Sequence, residues 1–104
     1  MTDINNFDDL YKIIQERIKS LSEDSYVASL AKRGKDKISQ KIGEETMELI
    51  IEVAKDKRNE NALIYEATDL FFHLWVLLAF LNISPQDILD ELKERHNGCS
   101  RKET

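Results

Sequence analysis

Little in this chain of 104 residues interrupts it: one proline and three glycines. β-architectures built on hairpins need such residues at their turns, and no stretch alternates apolar with polar, so strands are not expected. A single cysteine, Cys99, excludes an internal disulfide framework and fits a reducing compartment, so a cytoplasmic location is expected. Nothing around Cys99 resembles a reactive centre, and it reads as a spare surface thiol. Net charge is −5 with a pI near 5.0, which argues against general affinity for nucleic acid or anionic membrane. The longest apolar run, Leu70–Leu81, has 12 residues and contains His73. It falls short of the ~20 residues a bilayer span needs and reads as a buried helix segment, with no membrane partner. Met1–Asn6 is short and polar, so no export signal is expected.

What is present is helical periodicity, at 41% apolar and 34% charged residues. The spacing predicts a first helix over Asn6–Leu21, with Phe7, Leu10, Ile13, Ile14, Ile18 and Leu21 on one face. Ser22–Lys35 reads as a polar, partly irregular connector. A second helix is expected from Asp36, as N-cap, to Lys55, and its core face is set by Ile38, Ile42, Leu49, Ile50 and Val53. After the turn "DKRNEN" a third helix runs over Glu60–Leu81, and its wholly apolar second half, Phe71–Phe80, suggests a subunit interface. Ser84 as N-cap and Pro85 at the first helical position open a fourth helix carrying Ile88, Leu89 and Leu92. Residues 1–98 form one domain and 99–104 a polar tail. The fold class is all-α, resembling a four-helix bundle.

The carboxylates are the oddity. In "KIGEETMELIIE" Glu44, Glu45, Glu48 and Glu52 crowd into little more than two turns, although like charges at i,i+4 weaken a helix by roughly 0.2–0.5 kcal/mol each. Glu45 and Glu48 share a stripe at the edge of the apolar arc. The third helix repeats the pattern with Glu66 and Asp69, again at i,i+3. Acids placed beside a core lose hydration, and four of them meeting at low dielectric repel strongly. A divalent cation resolves that conflict. Hard oxygen donors without a matched Cys or His set select Mg²⁺, or Mn²⁺, over zinc. Just before this helix, "KRGKDKISQK" supplies Lys32, Arg33, Lys35, Lys37 and Lys41. A carboxylate-held metal beside a basic approach suits a nucleotide polyphosphate, with Arg33, Lys35, Lys37 and Lys41 as candidate substrate ligands. His73 reads as support behind Glu66 or Asp69. Gly43, costly within a helix, hints at a close approach of ligand or backbone.

"EETME" and "EATD" together resemble the paired motif of the all-α, MazG-like nucleoside triphosphate pyrophosphohydrolases. "SYVASL", "GKDKISQKIGEE", "EATDLFFHLWVLL" and "ISPQDILDELKERH" bring the chain closest to the phosphoribosyl-ATP pyrophosphohydrolase family, over roughly residues 5–97. That resemblance implies Mg²⁺-dependent hydrolysis of phosphoribosyl-ATP to phosphoribosyl-AMP and pyrophosphate, the second step of histidine biosynthesis, by a helical dimer. Glu45, Glu48, Glu66 and Asp69 correspond to the family's metal-binding acids, and Glu44 completes the first motif. In this scheme a water attacks phosphorus and Glu48 or Glu44 accepts its proton. Thr68 stands where relatives commonly carry alanine. Rival readings are a pyrophosphohydrolase of other nucleoside triphosphates and a non-catalytic dimerisation module. A carboxylate di-iron bundle is disfavoured, because it needs Glu-x-x-His pairs on two helices.

Overall fold

The computed structural model describes residues 3–99. Five α-helices follow one another: α1 (Phe7–Ser20), α2 (Tyr26–Arg33), α3 (Lys35–Ala54), α4 (Glu60–Phe80) and α5 (Pro85–Glu94), with a short π-helical turn over Arg95–Cys99. No strand occurs among the described residues. The fold is all-α, with one helix more than the sequence pattern predicts. Of the expected tail, Cys99 closes the π turn and residues 100–104 lie outside the described part.

The additional helix is α2, in the segment read as a connector. Ser25 caps it, its hydroxyl accepting from the Ala28 N–H at 3.1 Å. Only eight residues long, it shows too little periodicity to stand out, because helices that short are marginal by themselves and depend on tertiary packing. Packing is what holds it: Val27, Ala28 and Leu30 are all buried. The chain then turns sharply at Gly34, which ends α2 and begins α3. Its φ of 90° lies in the region that favours glycine. Gly34 donates to the Leu30 carbonyl at 3.0 Å, and its own carbonyl accepts from Ile38 at 3.2 Å. Asp36 is therefore a first-turn residue of α3 rather than its cap; no side chain caps this helix.

The other helix ends follow their sequence signals. Asn6 caps α1 and Asn59 caps α4 through side-chain bonds to Asp9 and Ala62. Ser84 and Asp87 form a reciprocal capping box at α5, with Pro85 in the first turn.

Helices α3 and α4 form an antiparallel hairpin, the most extensive helix pair in the molecule. At the hairpin's base, α1 and α2 cover it and enclose a core of Tyr11, Ile14, Val27, Leu30, Ile38, Trp75, Val76 and Ala79. Phe71–Phe80 is thus mostly a core segment: Phe72, Leu74, Leu77, Leu78 and Phe80 pack on that cluster, and Phe71 stays half open. Towards the hairpin's tip no described helix other than α4 covers α3. Ile50 and Val53, expected in the core, are 53% and 66% exposed, and Met47 and Ile51 are exposed beside them.

Candidate active site

The acids lie midway along the hairpin. On antiparallel helices Glu45 and Glu48 of α3 come opposite Asp69 and Glu66 of α4, and the structure brings one carboxylate oxygen each of Glu45, Glu48 and Glu66 within 4.8 Å of one another. Asp69 adjoins Glu45 closely enough for its carboxylate to perturb that of Glu45. Glu45 is only 6% exposed. Burial, then the charge of Glu48, then the contact with Asp69, push its carboxyl above the ordinary 4.5. Glu66 shifts the same way, through lost hydration first and then the charges of Glu48 and Asp69. Its Oε1 is buried and has no hydrogen-bond partner. Glu52, one turn further along α3, reinforces the negative field and pairs with Lys55 at 3.0 Å.

An orphaned buried carboxylate oxygen facing two further acids has an obvious complement in a cation. Oxygens around Mg²⁺ lie about 2.1 Å from the ion, hence ~3 Å apart when adjacent and ~4.2 Å apart when opposite. The 4.8 Å spread of the three acids is close to that envelope. All the donors are hard carboxylate oxygens, so the residues fit a divalent cation of the magnesium type.

Several candidate residues point elsewhere. Glu44 stands outside the cluster, its carboxylate accepting from Gln40 at 2.9 Å and from Lys41 at 3.2 Å. Those two bonds hold its carboxyl below the ordinary 4.5. Lys41 is therefore already paired, although such a partly exposed pair is worth only about 0.3–0.5 kcal/mol and opens easily. Lys37 is half-buried one turn before Lys41, while Arg33 and Lys35 are exposed on either side of the Gly34 corner. Gly43 meets no neighbour: a Cβ added there would find nothing within 4 Å. The close approach expected at Gly43 is not made by this chain's own backbone. Thr68 directs its hydroxyl to the Ile64 carbonyl at 2.7 Å, a local bond that leaves the site undisturbed.

His73 is buried and makes two bonds. Nδ1 lies 2.8 Å from the Asp69 main-chain carbonyl. A carbonyl only accepts, so Nδ1 carries the proton, and in the neutral ring Nε2 then accepts the Tyr26 hydroxyl, at 2.8 Å. His73 thus touches the backbone of Asp69 rather than a carboxylate. Tyr26 is the residue that the periodicity overlooks, because it opens the unrecognised helix α2.

Four clefts among the described residues do not contain these acids. One of about 560 Å³ lies by Leu92 and His96, one of about 440 Å³ at the hairpin tip by Lys55 and Arg58, and two apolar ones of about 400 and 360 Å³ flank Phe7. The acids occupy an open face between α3 and α4.

Fold and site together define a class: an all-α protein whose candidate centre is a carboxylate cluster on a helical hairpin, suited to a divalent cation and a polyphosphate. The comparisons with known proteins narrow it. The phosphoribosyl-ATP pyrophosphohydrolase family profile matches residues 7–96. A phosphoribosyl-ATP pyrophosphatase of Geotalea daltonii is 45% identical over 91% of this chain and 90% of its own length. One from Sulfolobus acidocaldarius is 44% identical over 88% of the chain and 94% of its length. A histidine biosynthesis bifunctional protein of Thermus thermophilus is 45% identical over 88% of the chain but only 42% of its own length. The chain belongs to the phosphoribosyl-ATP pyrophosphohydrolase family.

Proposed function

We infer that this chain hydrolyses phosphoribosyl-ATP to phosphoribosyl-AMP and pyrophosphate in histidine biosynthesis, using Mg²⁺ held by Glu45, Glu48, Glu66 and Asp69. Family membership supports the reaction. For the site, the carrying observation is the unpartnered buried Oε1 of Glu66 among facing acids. Mn²⁺ suits the same donors. When bound, the cation neutralises charge on the phosphate oxygens and on the departing pyrophosphate.

The chain's own groups do the rest. Water forms a new bond to the α-phosphorus, the α–β anhydride bond breaks, and pyrophosphate leaves with the electron pair. The proton goes to Glu48, which belongs to the cluster and is exposed. Glu44 is the weaker candidate base, because Gln40 and Lys41 already stabilise its charged form. Lys41 exchanges Glu44 for a phosphate oxygen, and Lys37, one turn earlier, contacts the same polyphosphate. Arg33 and Lys35, at the Gly34 corner, meet the phosphate of the phosphoribosyl group.

The same reading includes a homodimer in the cytoplasm. A radius of gyration of 15.7 Å exceeds the roughly 13 Å of a compact domain this size. The uncovered tip of the hairpin, with Met47 and Ile50 in line along α3, offers a second copy an apolar surface. Sedimentation at micromolar concentration tests this: a dimer is expected, and a monomer contradicts it.

Pyrophosphate release from phosphoribosyl-ATP, set against a panel of ordinary nucleoside triphosphates with and without Mg²⁺, tests the reaction. Mg²⁺-dependent turnover of phosphoribosyl-ATP well above the panel is expected. Equal rates across the panel would replace it with a general nucleoside triphosphate pyrophosphohydrolase, and no release at all with a binding module.

A further inference from the structure

Tyr26 has no part in the chemistry above, yet it is an exposed aromatic held firmly in place. It is 49% exposed, and three contacts fix it. Its hydroxyl donates to His73 at 2.8 Å. Its ring stacks on Phe72, with centroids 6.2 Å apart and planes 21° from parallel. The edge of the His73 ring meets it at 90° and 5.7 Å. His73 is in turn buried and anchored to the Asp69 carbonyl, within the helical turn that carries one of the candidate metal acids.

Fixing a half-exposed ring loses rotamer freedom for little buried area. Such pre-ordering is useful where the open face meets a flat ligand, because the ordering cost then falls before binding rather than during it. The surroundings specify the ligand. Tyr26 is tied through His73 to the helical turn of Asp69, and the charges of Lys41, Glu45, Asp69 and Glu44 all reach its hydroxyl. A nucleotide with its phosphates at the acid centre carries its base one sugar away.

We propose that the outer face of Tyr26 is the stacking platform for the purine of the substrate, with Phe72 backing the ring and His73 fixing its orientation. The platform rests on the acid centre being the catalytic site. Stacking uses the π-face that every base presents, so Tyr26 supplies affinity for the nucleoside end and takes no part in breaking the anhydride. His73 acts through Tyr26, as a positioning residue.

The test uses the full chain as wild type, Tyr26→Leu and Tyr26→Phe. KM and kcat are measured on phosphoribosyl-ATP, together with inhibition by AMP and by pyrophosphate and the thermal shift given by Mg²⁺. Tyr26→Leu is expected to raise KM and weaken AMP inhibition on the order of tenfold. It leaves pyrophosphate inhibition and the Mg²⁺ shift in place and lowers kcat far less than it raises KM. Tyr26→Phe, which keeps the ring on Phe72, recovers most of that loss. Unchanged KM and AMP inhibition in Tyr26→Leu would overturn the platform. So would equal losses in the two variants, since the hydroxyl strut and not the ring would then be what counts. A wild type without any Mg²⁺ shift removes the acid centre, and the platform with it. A normal Mg²⁺ shift in all three proteins without the KM pattern removes the platform alone.

Discussion

Large aliphatic residues stand at both ends of the α3–α4 hairpin and end in opposite states. At the base, Ile38 and Val76 are fully buried under α1 and α2; at the tip, Ile50, Ile51, Val53 and Ile64 are each more than half exposed. Apolar side chains line both ends, and what decides their state is the cover. The acids Glu45, Glu48, Glu66 and Asp69 lie at the border, where the core stops. A carboxylate there is dry enough to interact strongly with a cation, and open enough for substrate and water to arrive. Deeper in, the desolvation penalty would neutralise it; further out, solvent would screen it.

The contrast can be broken most severely at the border. Glu66→Gln removes one candidate ligand, and the several kcal/mol of charge stabilisation attributed to a bound metal correspond to roughly a thousandfold in rate. A loss of that order is expected with an unchanged helical circular-dichroism signal. Near-wild-type turnover would remove Glu66 from the site.

The base and the tip can then be compared directly. Ile38→Ala empties a fully buried position and is expected to cost about 2–5 kcal/mol in urea unfolding. The same truncation at Ile50, 53% exposed, is expected to cost under about 0.5 kcal/mol in a monomer. If Ile50→Ala proves just as harmful at high protein concentration, and the cost shrinks on dilution towards the monomer value, the tip is covered by a second copy.

Acidity probes the border more gently. Glu45 and Glu66 both have folded pKa values raised above the ordinary 4.5. Their protonated forms are therefore favoured by folding, so this contribution to stability is fully present below about pH 4.5. It is lost as pH rises through the raised folded values. Without metal, wild type is expected to lose stability relative to Glu45→Gln as pH climbs from 4.5 towards neutrality. A difference that stays flat with pH would mean the acids do not strain the fold. With Mg²⁺ the trend reverses, since protons and metal compete for the same oxygens.

A modest gain is expected at Gly43, where a Cβ meets nothing. Gly43→Ala should stabilise the isolated fold by about 0.5–1 kcal/mol through helix propensity. If it weakens association or turnover at the same time, the space above Gly43 belongs to a partner or ligand.

Much of this was legible before any coordinates. The cap Ser84 together with Pro85, the long helices and the paired i,i+3 acids all follow from local chemistry and helical spacing, and Glu45, Glu48 and Glu66 do come together. Two features were not. Helix α2 is stabilised by burying Val27, Ala28 and Leu30 against distant residues, and an eight-residue segment carries too little periodicity to reveal that. The exposure of Ile50 and Val53 escaped for the converse reason: periodicity shows which face of a helix is apolar, and not whether anything lies against it. Tyr26 went unnoticed along with α2, since its significance depends on the contact with His73, 47 residues away.

The most direct measurement is the thermal midpoint of wild type and Glu66→Gln as Mg²⁺ is added. Ligand at a hundred times its Kd stabilises a fold by about 2.7 kcal/mol, which for a domain this size raises the midpoint by on the order of 10 °C. A rise of that size in wild type and none in the variant is the predicted result. A wild type indifferent to Mg²⁺, or a variant that responds equally, would mean that these facing acids are not a metal site.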